Sequence, residues 1–252
     1  MNLKHYKAWQ DFTQRDWNEM KELQYQCLLE VKSKFELVGT KWWLDFGTAL
    51  GAYRDGKILD FDSDCDISLL ADGVTPELLD VIGPNLYPTY KKKIFWSERE
   101  WRNAMKTDKF FTAKSMRYEM KDKNGKIVKV NGHKIFTDLF CWYPLDDYYV
   151  MPFHSTHIQY MRTRKPVVDS GFTEISFKNS TEKYPILLKI EESLIEKYGD
   201  TWNVPDDKFH HNNKNCMKFA HLPRTQLEEY LYNHKTKEIK TNNYEKATNK
   251  LF

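Results

Sequence analysis

The stretch from Gly47 to Asp66, GTALGAYRDGKILDFDSDCD, constrains this chain more than any other, because Asp55, Asp60, Asp62, Asp64 and Asp66 crowd beside a glycine-rich turn. Residues 65–71 (CDISLLA) have the short apolar pattern of a buried strand, and alternate residues of a strand share a face. Asp64 and Asp66 therefore point to one side, with Cys65 turned to the other as a small buried hydrophobe. Carboxylates so close repel one another unless a cation lies between them, and hard oxygen ligands suit Mg²⁺ or Mn²⁺ rather than zinc. Acidic runs more often solvate a loop. Solvation does not explain two aspartates on one face of an apolar strand, so a metal site is expected.

Just upstream, residues 41–46 (KWWLDF) read as a short buried strand ended by Gly47, and residues 48–54 (TALGAYR) as a short helix. That order brings the N–H groups of Gly47 and Thr48 to a helix start, where phosphate binds. Arg54 beside it can neutralise a transferring phosphate, or balance Asp55 or Asp60. Earlier still, Thr13 and Asp16 have the spacing of a capping box. Trp17, Met20, Leu23, Cys27, Val31 and Phe35 then recur at steps of three or four, as on one face of a helix stopped by Gly39.

Downstream, DKNG at 122–125 and the Asn131-Gly132 pair divide residues 116–120, 126–130 and 133–140 into antiparallel strands. In the last of these Asp138 interrupts an apolar run. Its bland reading is a structural residue bonded to a neighbouring turn. Residues 182–198 (EKYPILLKIEESLIEKY) read as a helix stopped by Gly199, residues 224–232 as a weaker one, and the polar end as a fraying tail.

With 252 residues, 40% hydrophobic and 30% charged, the chain belongs to the globular class and is long enough to bury about three quarters of its unfolded surface. The expected organisation is a single α+β domain: an N-terminal helix over 1–39, a sheet over 40–150, a helical part over 151–235 and a polar tail over 236–252. A net charge of +3 gives no basis for a nucleic-acid partner. No transmembrane run or signal-peptide apolar core is present, so a cytoplasmic protein is expected, with peripheral contact at the inner face of the membrane left open.

The 4 cysteines, Cys27, Cys65, Cys141 and Cys216, lack CxxC spacing and read as reduced thiols. His154, His157, His210, His211 and Cys216 cluster as soft ligands but match no finger spacing, so zinc is not expected. Arg162, Arg164 and Lys165, and Lys91 to Lys93, read as solvated faces, the alternative being contact with an anionic donor or phospholipid headgroups. Trp42, Trp43, Trp96, Trp101, Trp142 and Trp202 are assigned to packing.

The segment GTALGAYRDGKILDFDSDCDI resembles the signature of the LicD/fukutin family, a G-[ST]-x-L-G-x-x-R turn followed by an acidic P-W-D-x-D-x-D-like strand. Asp60, Phe61 and Ser63 depart from that pattern at its proline, tryptophan and middle-aspartate positions. Asp138 within KIFTDLFCWYP resembles the family's h-D-h-F segment, and Tyr198, Gly199, Asp200 and Trp202 (YGDTW) a Y-G-x-x-W segment. The resemblance spans about residues 40–210 and is densest over 47–66. It implies a nucleotidyltransferase-like mixed sheet with flanking helices.

Carried over by position, the resemblance implies that Gly47, Thr48, Gly51 and Arg54 bind phosphate. It also implies that Asp62, Asp64, Asp66 and Asp138 hold Mg²⁺ or Mn²⁺, with Asp64, Asp66 and Asp138 catalytic and Asp138 the general base. The activity implied is transfer of a phosphoalcohol or phosphosugar from a nucleotide-diphosphate donor, cytidine diphosphate by the same resemblance, to a hydroxyl of a glycan or lipid-linked glycan. Choline, ribitol, glycerol and sugar phosphates all stay open, as does the place of the phosphodiester in capsule or lipopolysaccharide synthesis. The alternatives are a nucleotidyltransferase that transfers the nucleoside monophosphate itself, and a non-catalytic glycan-binding or scaffold member.

Overall fold

The computed structural model describes residues 11–88, 115–145, 147–152, 158–178, 180–206 and 219–222. Helix α1 (Gln14–Leu37) opens on the expected capping box: Thr13 Oγ1 accepts the Asp16 N–H, and the Thr13 N–H donates to Asp16 Oδ2. It ends before Gly39, whose φ of +68° is the left-handed conformation a helix stop requires. Its buried face is Trp17, Met20, Gln24, Cys27, Leu28, Val31 and Phe35; Leu23 packs at the margin of the core.

The chain continues through β1 (Trp42–Leu44), α2 (Phe46–Leu50), a π-helical turn (Gly51–Asp55), β2 (Cys65–Leu70), α3 (Pro76–Ile82) and β3 (Leu86–Pro88). Then follow β4 (Ser115–Glu119), β5 (Lys129–Val130), β6 (His133–Lys134), β7 (Phe136–Leu145), β8 (Tyr148–Pro152) and β9 (Ile158–Arg164). Helix α4 (Lys165–Val168), β10 (Phe172–Ile175), β11 (Tyr184–Leu187), α5 (Ile190–Tyr198) and β12 (Phe219–Leu222) complete the order. The fold is α+β, as expected, with a mixed 8-stranded sheet in the order β1-β2-β7-β8-β9-β12 and β4 joining β3 to β7. The β2–β7 pair is parallel and the other pairings of this sheet are antiparallel.

The register of the central strands positions the site. On β7, Asp138 stands opposite Asp66 of β2 and opposite Arg117 of β4. The other face of the same strands is core: Leu44, Cys65, Ile67, Leu69, Leu139 and Cys141 join Cys27, Leu28 and Val31 of α1 in one cluster. Trp43, Phe46 and Trp142 join Met151, Met161, Val167, Val168 and Leu187 in a second.

Two expected elements change. The strand expected over 41–46 is shorter, because Asp45 leaves it to cap α2, its carboxylate accepting the Phe46 N–H at 2.9 Å. The helix therefore starts at Phe46, before Gly47. The helix expected over 182–198 is confined to α5, while Tyr184–Leu187 forms β11 against β10. Pairing with β10 decides this, and Pro185, whose missing N–H is tolerated on a short two-stranded edge, does not oppose it.

The turn expectations hold: Asn131 and Gly132 both have positive φ between β5 and β6, and Asp122 Oδ1 accepts the N–H groups of Asn124 and Lys126. Residues beyond 151, expected as a helical part, carry α4 and α5 together with strands β9 to β12. The expected helix over 224–232, the polar tail, His154, His157, His210, His211, Cys216, Lys91 to Lys93, Trp96 and Trp101 lie outside the described residues.

Candidate metal centre

The alternation of β2 and the register of β7 put oxygens of Asp64, Asp66 and Asp138 within 4.8 Å of one another. All three side chains are half-buried. Burial and mutual repulsion act in the same direction on them. Burial first, then the neighbouring Asp62 carboxylate, pushes the Asp64 carboxyl up to about 8. Asp66 is held well above the usual carboxylate range by burial and by Asp64, Asp62 and Asp138. Burial raises Asp138 to about 6, with the hydrogen-bonded Arg117 opposing the rise. Hard oxygen donors that cannot all ionise without a counter-charge are the donor set a divalent cation fits.

Asp62 lies beside the triad, hydrogen-bonded to Asp64 and accepting the backbone N–H groups of Ser63 and Asp64. Helix α1 fixes that loop from behind: Lys21 Nζ and Gln24 Nε2 both donate to the Asp62 carbonyl, at 2.5 and 3.2 Å. Burial lowers the Lys21 ammonium and the Asp62 charge partly restores it.

The glycine turn wraps Asp66. Gly47 N–H donates to Asp66 Oδ2 at 3.2 Å, and the Asp66 N–H donates to Thr48 Oγ1 at 2.7 Å. A Cβ on Gly47 would sit 2.5 Å from Asp62 Oδ2, so only glycine lets the turn approach the acid loop this closely. At Gly51 a Cβ would meet the Lys57 carbonyl at 2.5 Å, where two backbone segments touch. Arg54 pairs with Asp55, Nε to Oδ1 and Nη2 to Oδ2 both at 2.9 Å, and its Nη1 donates to the Trp202 carbonyl. Of the roles weighed for Arg54, the balancing of Asp55 is the one these contacts display.

The YGDTW segment closes on this same turn. Trp202 packs against Tyr53, and the buried Tyr198 hydroxyl is pushed well above its ordinary value by burial and by Asp66, Asp62 and Asp45. Arg117 is the group the sequence reading missed. Its Nε and Nη2 donate to Asp138 at 2.9 and 3.2 Å, and its guanidinium stacks on Phe136 at 3.5 Å. The signal was there, for Arg117 interrupts Met116 and Tyr118 on β4 much as Asp138 interrupts β7.

The α+β sheet carries, beside a glycine turn, a carboxylate triad able to hold a metal ion. A family model described as LicD/FKTN/FKRP, nucleotidyltransferase domain, matches residues 39–186, more than half of the chain, and the chain belongs to that family. No curated protein matches it. The family carries a phosphotransferase or glycan-modifying role and is metal-dependent in general. Among the described residues no helix is long and apolar enough to cross a membrane.

Proposed function

We propose that this chain is a Mg²⁺- or Mn²⁺-dependent phosphotransferase that moves a phosphoalcohol or phosphosugar from a nucleotide-diphosphate donor, with cytidine as the base, to a glycan hydroxyl. The observation that carries the proposal is the convergence of Asp64, Asp66 and Asp138 within 4.8 Å in a chain of this family. Asp64, Asp66 and Asp138 hold the cation, with Asp62 joining from beside Asp64. The bound cation supplies charge neutralisation at the donor diphosphate and alignment of an in-line displacement.

The chain's own groups do the rest. Asp138 accepts the proton of the acceptor hydroxyl as its oxygen bonds to the distal phosphorus and the bond to the nucleoside monophosphate breaks. A carboxyl held at about 6 is largely ionised at neutral pH and able to take that proton. Arg117, charged and part-exposed beside Asp138, faces the developing phosphate charge. Gly47, Thr48 and Gly51 shape the turn on the phosphate side, and Arg54 reaches the donor by exchanging Asp55 for phosphate oxygens. We place the protein in the cytoplasm, working on a soluble or lipid-linked glycan at the inner face of the membrane.

The test is a thermal-shift panel of cytidine, uridine, guanosine and adenosine diphosphates with and without Mg²⁺, on wild type and Asp64→Asn. A ligand that binds only the native state at about 100 times its Kd adds about 2.7 kcal/mol of stability. A Mg²⁺-dependent shift, largest with cytidine and lost in Asp64→Asn, supports the proposal. No shift with any nucleotide would move the chain to the non-catalytic reading. Product analysis then separates the two transfers: the proposed reaction releases a nucleoside monophosphate, whereas nucleotidyl transfer leaves it on the acceptor.

A further inference from the structure

Behind the glycine turn lies a buried charged network outside the carboxylate triad. Lys197, on α5, is 5% exposed and Asp45, between β1 and α2, is 2% exposed. Lys197 Nζ donates to Asp45 Oδ1 at 2.6 Å and to Ser193 Oγ at 2.7 Å, and lies over the rings of Phe46 and Trp142 at 5.2 and 5.9 Å. Ser68 Oγ donates to Asp45 Oδ2 at 2.6 Å and accepts the Trp142 Nε1–H at 2.9 Å. Every polar atom of the Asp45 carboxylate is thus engaged.

A buried ion pair contributes little net stability over an apolar core of the same shape, so its presence calls for another account. The account lies in what Asp45 holds. Its Oδ1 accepts the N–H of Phe46, a bulky residue at φ +42°, in the left-handed region that side chains disfavour. Its own N–H donates to the Asp66 carbonyl at 3.1 Å. The next residues of the turn complete the grip on Asp66, Gly47 N–H on the carboxylate and Thr48 Oγ1 on the backbone.

We propose that Lys197 is a positioning residue for the carboxylate site: through Asp45 it holds the strained Phe46 turn that fixes Asp66. The inference rests on the metal reading above only where it extends from the turn to cation affinity. Lys197 also ties the end of the chain's YGDTW-bearing segment to the acid strand, which gives α5 a role in the site without touching a ligand.

The test uses the full chain with Lys197→Met, well below its unfolding temperature, and two measurements. Amide hydrogen exchange should accelerate at least about tenfold at Phe46 and Gly47 while Leu69, inside β2, keeps its protection. Mn²⁺, titrated alone, should bind at least about fivefold more weakly, because Asp66 is no longer held. Charge alone predicts the reverse, since removing a cation near the triad favours Mn²⁺. Unchanged exchange at Phe46 and Gly47, an equal acceleration at Leu69, or unchanged or tighter Mn²⁺ binding would overturn the proposal. Asp45→Asn/Lys197→Met, which removes both charges and keeps an acceptor for the Phe46 N–H, should recover both readouts. If Lys197→Met does not fold, Lys197→Ala, which removes the donor and leaves room for water beside Asp45, is read by the same criteria. A wild type that binds no Mn²⁺ would sink the metal reading, while the exchange arm still decides the hold on the turn.

Discussion

Replacing Asp64 by asparagine should make the metal-free protein more stable, an unusual outcome for a residue at the centre of a site. The folded state holds the Asp64 carboxyl at about 8 against an ordinary value of 3.8, so between these values the folded chain binds more protons than the unfolded one. Stability then falls as pH rises through that window. At pH 7 about 3 units of the difference count, which at about 1.4 kcal/mol per unit sets a ceiling of about 4 kcal/mol. Because Asp62 and Asp64 are hydrogen-bonded and share their proton, removing one lets the other ionise, and we expect about half the ceiling, about 2 kcal/mol. For a chain of this size that raises Tm by about 4–8 °C.

The assay is calorimetry in chelator at pH 7 and pH 5. At pH 5 only about 1 unit separates the solution from the ordinary carboxylate value, so the advantage of Asp64→Asn shrinks to about a third. Saturating Mg²⁺ should reverse the order, because only the wild type gains the binding energy. Asp64→Asn no more stable than wild type at pH 7 in chelator, or an advantage that does not change between pH 7 and pH 5, would refute the reasoning.

Other outcomes follow from the same geometry. Gly47→Ala and Gly51→Ala meet equally close neighbours of different kinds, the end of a carboxylate side chain and a backbone carbonyl. Gly51→Ala should cost about 1–3 kcal/mol and lower Tm accordingly. Gly47→Ala should leave Tm nearly unchanged but displace Asp62 and weaken Mn²⁺ binding about tenfold in a titration. Arg117→Met should weaken binding of the Mg²⁺ nucleotide by about tenfold or more, the loss expected for a hydrogen bond to a charged group. It should leave Mn²⁺ alone bound as well as before or better, as calorimetric titration of both ligands would reveal.

Much of the site was legible because local rules agree there. The capping box of α1, the Asn131-Gly132 turn and the alternation of β2 each follow from a few neighbouring residues, and each is found. The failures came where distant contacts decide. Residues 182–198 carry a helical period throughout, yet pairing with β10 claims Tyr184–Leu187 and only α5 remains helical. Residues 41–46 read as strand because nothing local says that Asp45 will turn inward to meet Lys197.

The residues missed at the site nevertheless share one mark, a charge at a position whose period assigns it to the interior. Arg117 and Asp138 occupy one row of the sheet, both interrupting apolar strands, and each is the other's partner. On α5 the buried face runs Ile190, Ser193, Leu194, Lys197 and Tyr198, which places a lysine where a helix of this pattern has an apolar residue. A charge buried at such a position needs a counter-charge, and the chain holds few candidates deep enough to supply it. Asp45, directly after the buried Trp42–Leu44 run, was one. Pairing interior charges of opposite sign before assigning elements would therefore have linked β4 to β7 and α5 to the glycine turn, which are the contacts that neither strand alternation nor helical period can supply.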